Sequence, residues 1–105
     1  MATSKDYLAY ILDNLSDLDE ITYKQMMGEY ILYYRGKIAA YLCDDRFLAK
    51  IVPSAERLLP NAKREPPYDG AKDMLLVENT DDRAFLTTLL NEMVDELPEP
   101  KKKKR

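Results

Sequence analysis

A chain of 105 residues with 46% hydrophobic side chains, 33% charged side chains and a net charge of −3 can build one hydrophobic core but not two. Its apolar content excludes intrinsic disorder, and no stretch approaches the roughly 20 apolar residues that cross a bilayer, which sets membrane partners aside. The charge is unevenly distributed: residues 1–97 carry 18 acidic and 11 basic side chains, a net −7, whereas residues 98–105 carry one acidic and five basic, a net +4. An acidic body repels a phosphate backbone, so nucleic acid is expected only as a weak partner of the tail.

In chain order, Leu8, Ile11, Leu12, Leu15 and Leu18 recur at helical spacing and predict an amphipathic helix from Ser4 to Leu18, with Thr3 or Ser4 as its cap. The period then shortens. Thr22–Met27, Tyr30–Tyr34, Lys37–Cys43 and Arg46–Ile51 read as strands, and Arg35-Gly36 and Asp44-Asp45 supply the turn residues that tight hairpins require. Pro53-Ser54 starts a short helix over Ala55–Leu59, which Pro60 ends. Glu65-Pro66-Pro67-Tyr68-Asp69-Gly70 is a loop that tolerates at most an edge strand, and Asp73–Glu78 is a further strand. Asn79-Thr80-Asp81-Asp82 caps a final helix with the stripe Phe85, Leu86, Leu89, Leu90, Met93, Val94 and Leu97, ended by Pro98 and Pro100. The fold expected is α+β and two-layered, in the order α-β(3–4)-α-β(1–2)-α, with helices on one face of an antiparallel sheet. Residues 1–98 form its single domain, and residues 99–105 a disordered basic tail.

If both hairpins keep strict two-residue loops, Tyr33 pairs Ile38, Ile31 pairs Ala40, Leu42 pairs Phe47 and Ala40 pairs Ala49. Ile31, Tyr33, Ile38, Ala40, Leu42, Phe47, Ala49 and Ile51 then share an uncharged face that meets the helices. Tyr30, Leu32, Tyr34, Tyr41, Arg46, Leu48 and Lys50 fall on the opposite, helix-free face, together with Lys37, Ala39 and Cys43. Tyrosine and leucine beside arginine and lysine is the composition of a protein interface, so this face is the expected partner surface, for another protein or for a homodimer. Tyrosine also has high β propensity on an ordinary solvated face, and rings on a sheet can stack nucleobases.

The residues offer little to chemistry. Histidine is absent, which removes the usual general base, the commonest zinc ligand and every Ser–His or Cys–His arrangement. Cys43 is the single cysteine and reads as a packing thiol beside Asp44 and Asp45. Asp17-Leu18-Asp19-Glu20, Asp44-Asp45 and Asp81-Asp82 fall at turns or a helix start, without calcium-loop spacing, and three glycines build no phosphate loop. A non-enzymatic interaction or regulatory module with no metal or cofactor is the expectation. A lone cysteine and a polar start, Met1-Ala2-Thr3-Ser4-Lys5-Asp6, predict a cytoplasmic location. Lys101, Lys102, Lys103, Lys104 and Arg105 form an electrostatic tail, which supports an alternative role as an accessory nucleic-acid-associated regulator.

The block Tyr23-Lys24-Gln25-Met26-Met27-Gly28-Glu29-Tyr30-Ile31-Leu32-Tyr33-Tyr34-Arg35-Gly36-Lys37 resembles the signature of the TfoX/Sxy N-terminal domain family. Asp44-Asp45-Arg46-Phe47-Leu48, Pro67-Tyr68-Asp69-Gly70-Ala71-Lys72 and Asp81-Asp82-Arg83-Ala84-Phe85-Leu86 extend the likeness over nearly the whole chain. The resemblance implies a bacterial cytoplasmic protein with a two-layer, secretion-chaperone-like fold. Founding members of that family regulate natural competence and carry a C-terminal domain, so the resemblance implies a stand-alone member here. It brings no catalytic residues. Deleting residues 99–105 should leave the melting temperature within about 1 °C of the full chain and abolish any retention on DNA at low salt, since only those cations oppose the acidic body. Sequence-specific DNA binding that survives the deletion would contradict the charge argument.

Overall fold

The computed structural model describes residues 4–26 and 28–98; the tail cations Lys101 to Arg105 lie outside the described residues. Ser4 accepts a 3.0 Å hydrogen bond from the Tyr7 amide and caps α1, Lys5–Asn14. The Ser4 amide itself donates to Asp45 Oδ1 at 2.9 Å, tying the start of the helix to a hairpin turn. The helix ends earlier than its apolar stripe. The Leu15 amide is shared between the Ile11 and Leu12 carbonyls as the chain tightens, yet Leu15 and Leu18 remain in the core with Leu8 and Ile11.

Four strands follow as a meander: β1 Ile21–Met26, β2 Glu29–Tyr34, β3 Lys37–Cys43 and β4 Arg46–Ala49. The β2–β3 turn, Arg35-Gly36, and the β3–β4 turn, Asp44-Asp45, each place both central residues at positive φ, between 53° and 80°. That is the tight-hairpin geometry whose twist matches the flanking strands. Helix α2, Pro53–Leu58, starts on its proline and packs with α3; β5, Arg64–Glu65, and β6, Met74–Val77, complete the sheet. Asp82 accepts from the Phe85 amide at 3.0 Å to cap α3, Arg83–Met93, which tightens into a 3-10 turn at Val94–Glu96. Glu96 reaches back from that turn to the Ser54 amide at 2.7 Å, and this bond lowers its carboxyl pKa below the ordinary value. The described residues form an α+β fold of three α-helices and one six-stranded antiparallel sheet, ordered β1-β2-β3-β4-β6-β5.

The register differs from strict alternation at one point. Tyr33 pairs Ile38, but Leu32 pairs Ala40 and Tyr30 pairs Leu42, so Ala39 is an extra residue in β3. A bulge of this kind restarts the alternation of faces. Leu42 and Phe47, Ala40 and Ala49 pair as two-residue turns require. Because of the bulge, the residues of β2 that join them against the helices are Tyr30, Leu32 and Tyr34, all buried, rather than Ile31 and Tyr33. The expected partner surface is corrected accordingly: three of its seven residues, Tyr30, Leu32 and Tyr34, lie in the core against the helices. Tyr34 shows how a tyrosine is accommodated there, since its ring is buried while its hydroxyl donates to Asn91 Oδ1 on α3 at 2.7 Å. Lys37, also displaced to the helix side, donates from Nζ to the Val94 carbonyl at 3.0 Å.

Leu32 is fully buried among the helices, so Leu32→Ala should destabilise the fold by about 2–5 kcal/mol. Chemical denaturation measures it, and a change below about 0.5 kcal/mol would mean that Leu32 lies on a solvated face.

Candidate protein-binding site

Among the described residues no helix contributes to the buried cluster on the other face of the sheet, yet part of that face is not solvated. Cys43, Leu48 and Met74 form a second, smaller buried cluster, with Tyr41 and Leu76 half-buried against it. The segment between β5 and β6, residues 66–73, runs beside it: Tyr68 shares one recess with Tyr41 and Cys43, and Pro67 to Met74 share another with Tyr41. Arg46 holds it there. Its guanidinium pairs with Glu65 Oε1 at 2.7 Å, donates to the Pro67 carbonyl at 3.5 Å and, through Nε, to the Cys43 carbonyl at 3.1 Å. Asp44 Oδ2 lies 3.9 Å away on the same cation. Arg46 is thus an internal tether, and Leu48 is fully buried within the neighbouring cluster.

Of the residues expected to form a partner surface, Tyr30, Leu32, Tyr34 and Leu48 are therefore buried, and Arg46 is committed to the loop. Tyr41 and Lys50 remain half-buried on the helix-free side, together on a shallow depression whose far wall is Pro67 to Met74. The structure adds residues that the alternating pattern did not single out. Beside this segment lies a notch of about 330 Å3, lined by Met26, Glu29, Ile31, Tyr41, Cys43 and Tyr68. The bulge brings Ile31 to this side, and the β1–β2 hairpin brings Met26 and Glu29. Tyr68, half exposed, stands at the opposite rim. The signal in the sequence is the adjacent pair Ala39-Ala40, small enough for both residues to be buried at a bulge, and an aromatic ring in a Pro-rich loop.

Chemically the notch is an apolar recess with one acidic wall. Glu29 Oε1 accepts from the Asp44 amide at 3.3 Å, which fixes that carboxylate beside the recess. Burial, then the Glu29 charge, push the Cys43 thiol up to about 12, so it stays a protonated, weakly polar surface. Burial raises Tyr41 as well, with Tyr68 as the next cause. Such a lining accepts an aliphatic or aromatic side chain. The described residues hold no group of three or more His, Cys, Asp or Glu side chains placed to bind a metal ion, and no helix among them is long and apolar enough to cross a membrane.

Cys43 reports on the tether. In the wild type it should react slowly with a thiol reagent at pH 8 under native conditions. Arg46→Ala removes a half-buried ionic hydrogen bond worth about 1–2 kcal/mol, so labelling should become about 5- to 30-fold faster. Equal rates in both proteins would show that Arg46 does not hold the loop beside Cys43.

No family model and no solved structure matches the chain. Over 105 residues it is 32% identical to a protein of Spirochaeta aurantia described as "Uncharacterized 12.7 kDa protein in trpE 5'region", and the match spans 99% of this chain and 91% of that one. On that identity and coverage, the chain belongs to the family of this Spirochaeta aurantia protein.

Proposed function

We propose that this protein is a non-enzymatic interaction module that captures a protein partner by seating one of its apolar side chains in the notch between Met26, Ile31, Tyr41 and Tyr68. The observation that carries this reading is the notch itself. It is apolar and accessible, and it lies on the helix-free face with Tyr68 of the segment after β5 as one of its walls. Neighbouring side chains are already spent on packing: Leu48 and Met74 are buried in one cluster, and Arg46 is paired with Glu65. Interfaces draw most of their affinity from a few such anchor pockets.

The resemblance to the TfoX/Sxy N-terminal domain supports a regulatory setting, and with it a secretion-chaperone-like arrangement of the two layers. A buried free thiol supports a reducing, cytoplasmic location. The acidic body favours a protein partner over nucleic acid.

A displayed library of short peptides, selected on the full chain, tests the reading. Selected peptides should share an aliphatic or aromatic anchor, and their affinity should fall about tenfold on Tyr68→Ser, an exposed position where the substitution spares the fold. Selected peptides that bind Tyr68→Ser and wild type equally, or whose anchor is dispensable, would refute it.

A further inference from the structure

The sheet has two edges of unequal character. One is β5, two residues long; the other is β1, six residues long, with residues 22–26 exposed on both faces. The pairing of β1 with β2 decides which backbone groups β1 leaves over. The Arg35 amide donates to the Glu20 carbonyl at 3.1 Å, which makes that pair hydrogen-bonded. Bonded and non-bonded pairs alternate in an antiparallel ladder. The next bonded pairs are therefore Thr22–Tyr33, Lys24–Ile31 and Met26–Glu29, the last closing the hairpin. The N–H and C=O groups of Ile21, Tyr23 and Gln25 consequently point outward along an edge that no other described strand pairs with, in register to accept another strand.

The side chains on that edge discriminate between occupants. Thr22, Lys24 and Met26 alternate on the same face as the notch, and Met26 belongs to both. A second copy of this chain fits badly. The self-paired register that uses all three outward residues, centred on Tyr23, makes the two Lys24 ammonium groups diagonal neighbours. Centring on Lys24 sets them directly opposite, and centring on Thr22 leaves Gln25 outside the strand pairing. Like charges at such positions are destabilising, and a lysine on an edge strand is a common guard against self-association. An incoming acidic side chain meets the reverse condition at the same place.

We propose that β1 is the docking edge for an extended segment of a protein partner, which adds as a seventh, antiparallel strand with an acidic residue opposite Lys24. The antiparallel direction then fixes the order along the segment. The residue opposite Met26 comes two positions before the acidic one, lies on the notch side, and is apolar. The recognised pattern is apolar-x-acidic. This inference rests on the proposed function in that it names the form of the partner that fills the notch.

Tyr23→Pro separates the two. It deletes an outward N–H, leaves the β1–β2 ladder intact, and is tolerated on an edge strand, while Tyr23→Val controls for loss of the ring. Peptides selected on the full chain should share the apolar-x-acidic order, bind Tyr23→Val within about threefold of wild type, and bind Tyr23→Pro about tenfold more weakly. Lys24→Glu should weaken them similarly, and a peptide with lysine in place of the acidic residue should recover the loss. Hydrogen exchange gives a readout independent of the variants: on peptide binding, the amides of Ile21, Tyr23 and Gln25 should gain protection on the wild-type chain. Binding that is lost with Tyr68→Ser but unchanged by Tyr23→Pro, with no protection of those amides, overturns the strand proposal and leaves the notch in use. Failure to select any peptide overturns both. A wild-type dimer that Tyr23→Pro dissociates identifies a second copy as the occupant and overturns the proposal as well.

Discussion

The extra residue at Ala39 sets the arrangement on which the rest of the molecule depends. Without it, hairpin geometry would carry Ile31 and Tyr33 to the helices and leave Tyr30, Leu32 and Tyr34 outside. With it, β2 turns over relative to the far ends of β3 and β4, and two adjacent alanines occupy the kink, both buried. The strand keeps its pairing on the other side, since the Ala39 carbonyl accepts from the Lys50 amide at 3.0 Å. Two larger side chains at 39 and 40 would not fit between sheet and helices at native packing density.

Two consequences follow on opposite sides of the sheet. On the helix side, tyrosines with polar tips enter the core, and Tyr34 bonds Asn91 while Tyr30 meets Tyr23 edge-to-face at 5.8 Å between ring centroids. On the other side, Ile31 joins Tyr41 and Cys43, and Tyr68 of the segment that Arg46 holds stands across from them. The remaining gap is the notch. Packing on one face and recognition on the other thus derive from the same backbone irregularity.

The loop also bears on how the helix-free face should be pictured. A two-layer fold leaves one side of its sheet without helices, and in this chain Cys43, Leu48 and Met74 are nevertheless buried there, with the segment after β5 beside them. Because Arg46 holds that segment through Glu65 and the Pro67 carbonyl, it can be loosened by a single substitution without removing the main core.

Element types were legible because their signals are local. Leu8, Ile11 and Leu15 mark a helix face by spacing, Asp82 caps α3 through its own side chain, and Gly36 and the Asp44-Asp45 pair permit positive φ wherever they sit. The inward positions of β4, Phe47 and Ala49, were legible for the same reason: nothing interrupts the period of two between the Asp44-Asp45 turn and the end of that strand. The faces of β2 were not. A bulge leaves no residue type that demands it, and alternation read across Ala39 assigns every side chain of β2 to the wrong layer. The role of Arg46 was hidden likewise, since Glu65 and Pro67 reach it only when β5 and β6 pair beyond β4. The amino-acid sequence by itself determined the helices, the strands and their turns, which depend on neighbours a few residues apart; only the tertiary structure decided which face of β2 is core, what Arg46 holds and where the notch lies, because each depends on the register between strands.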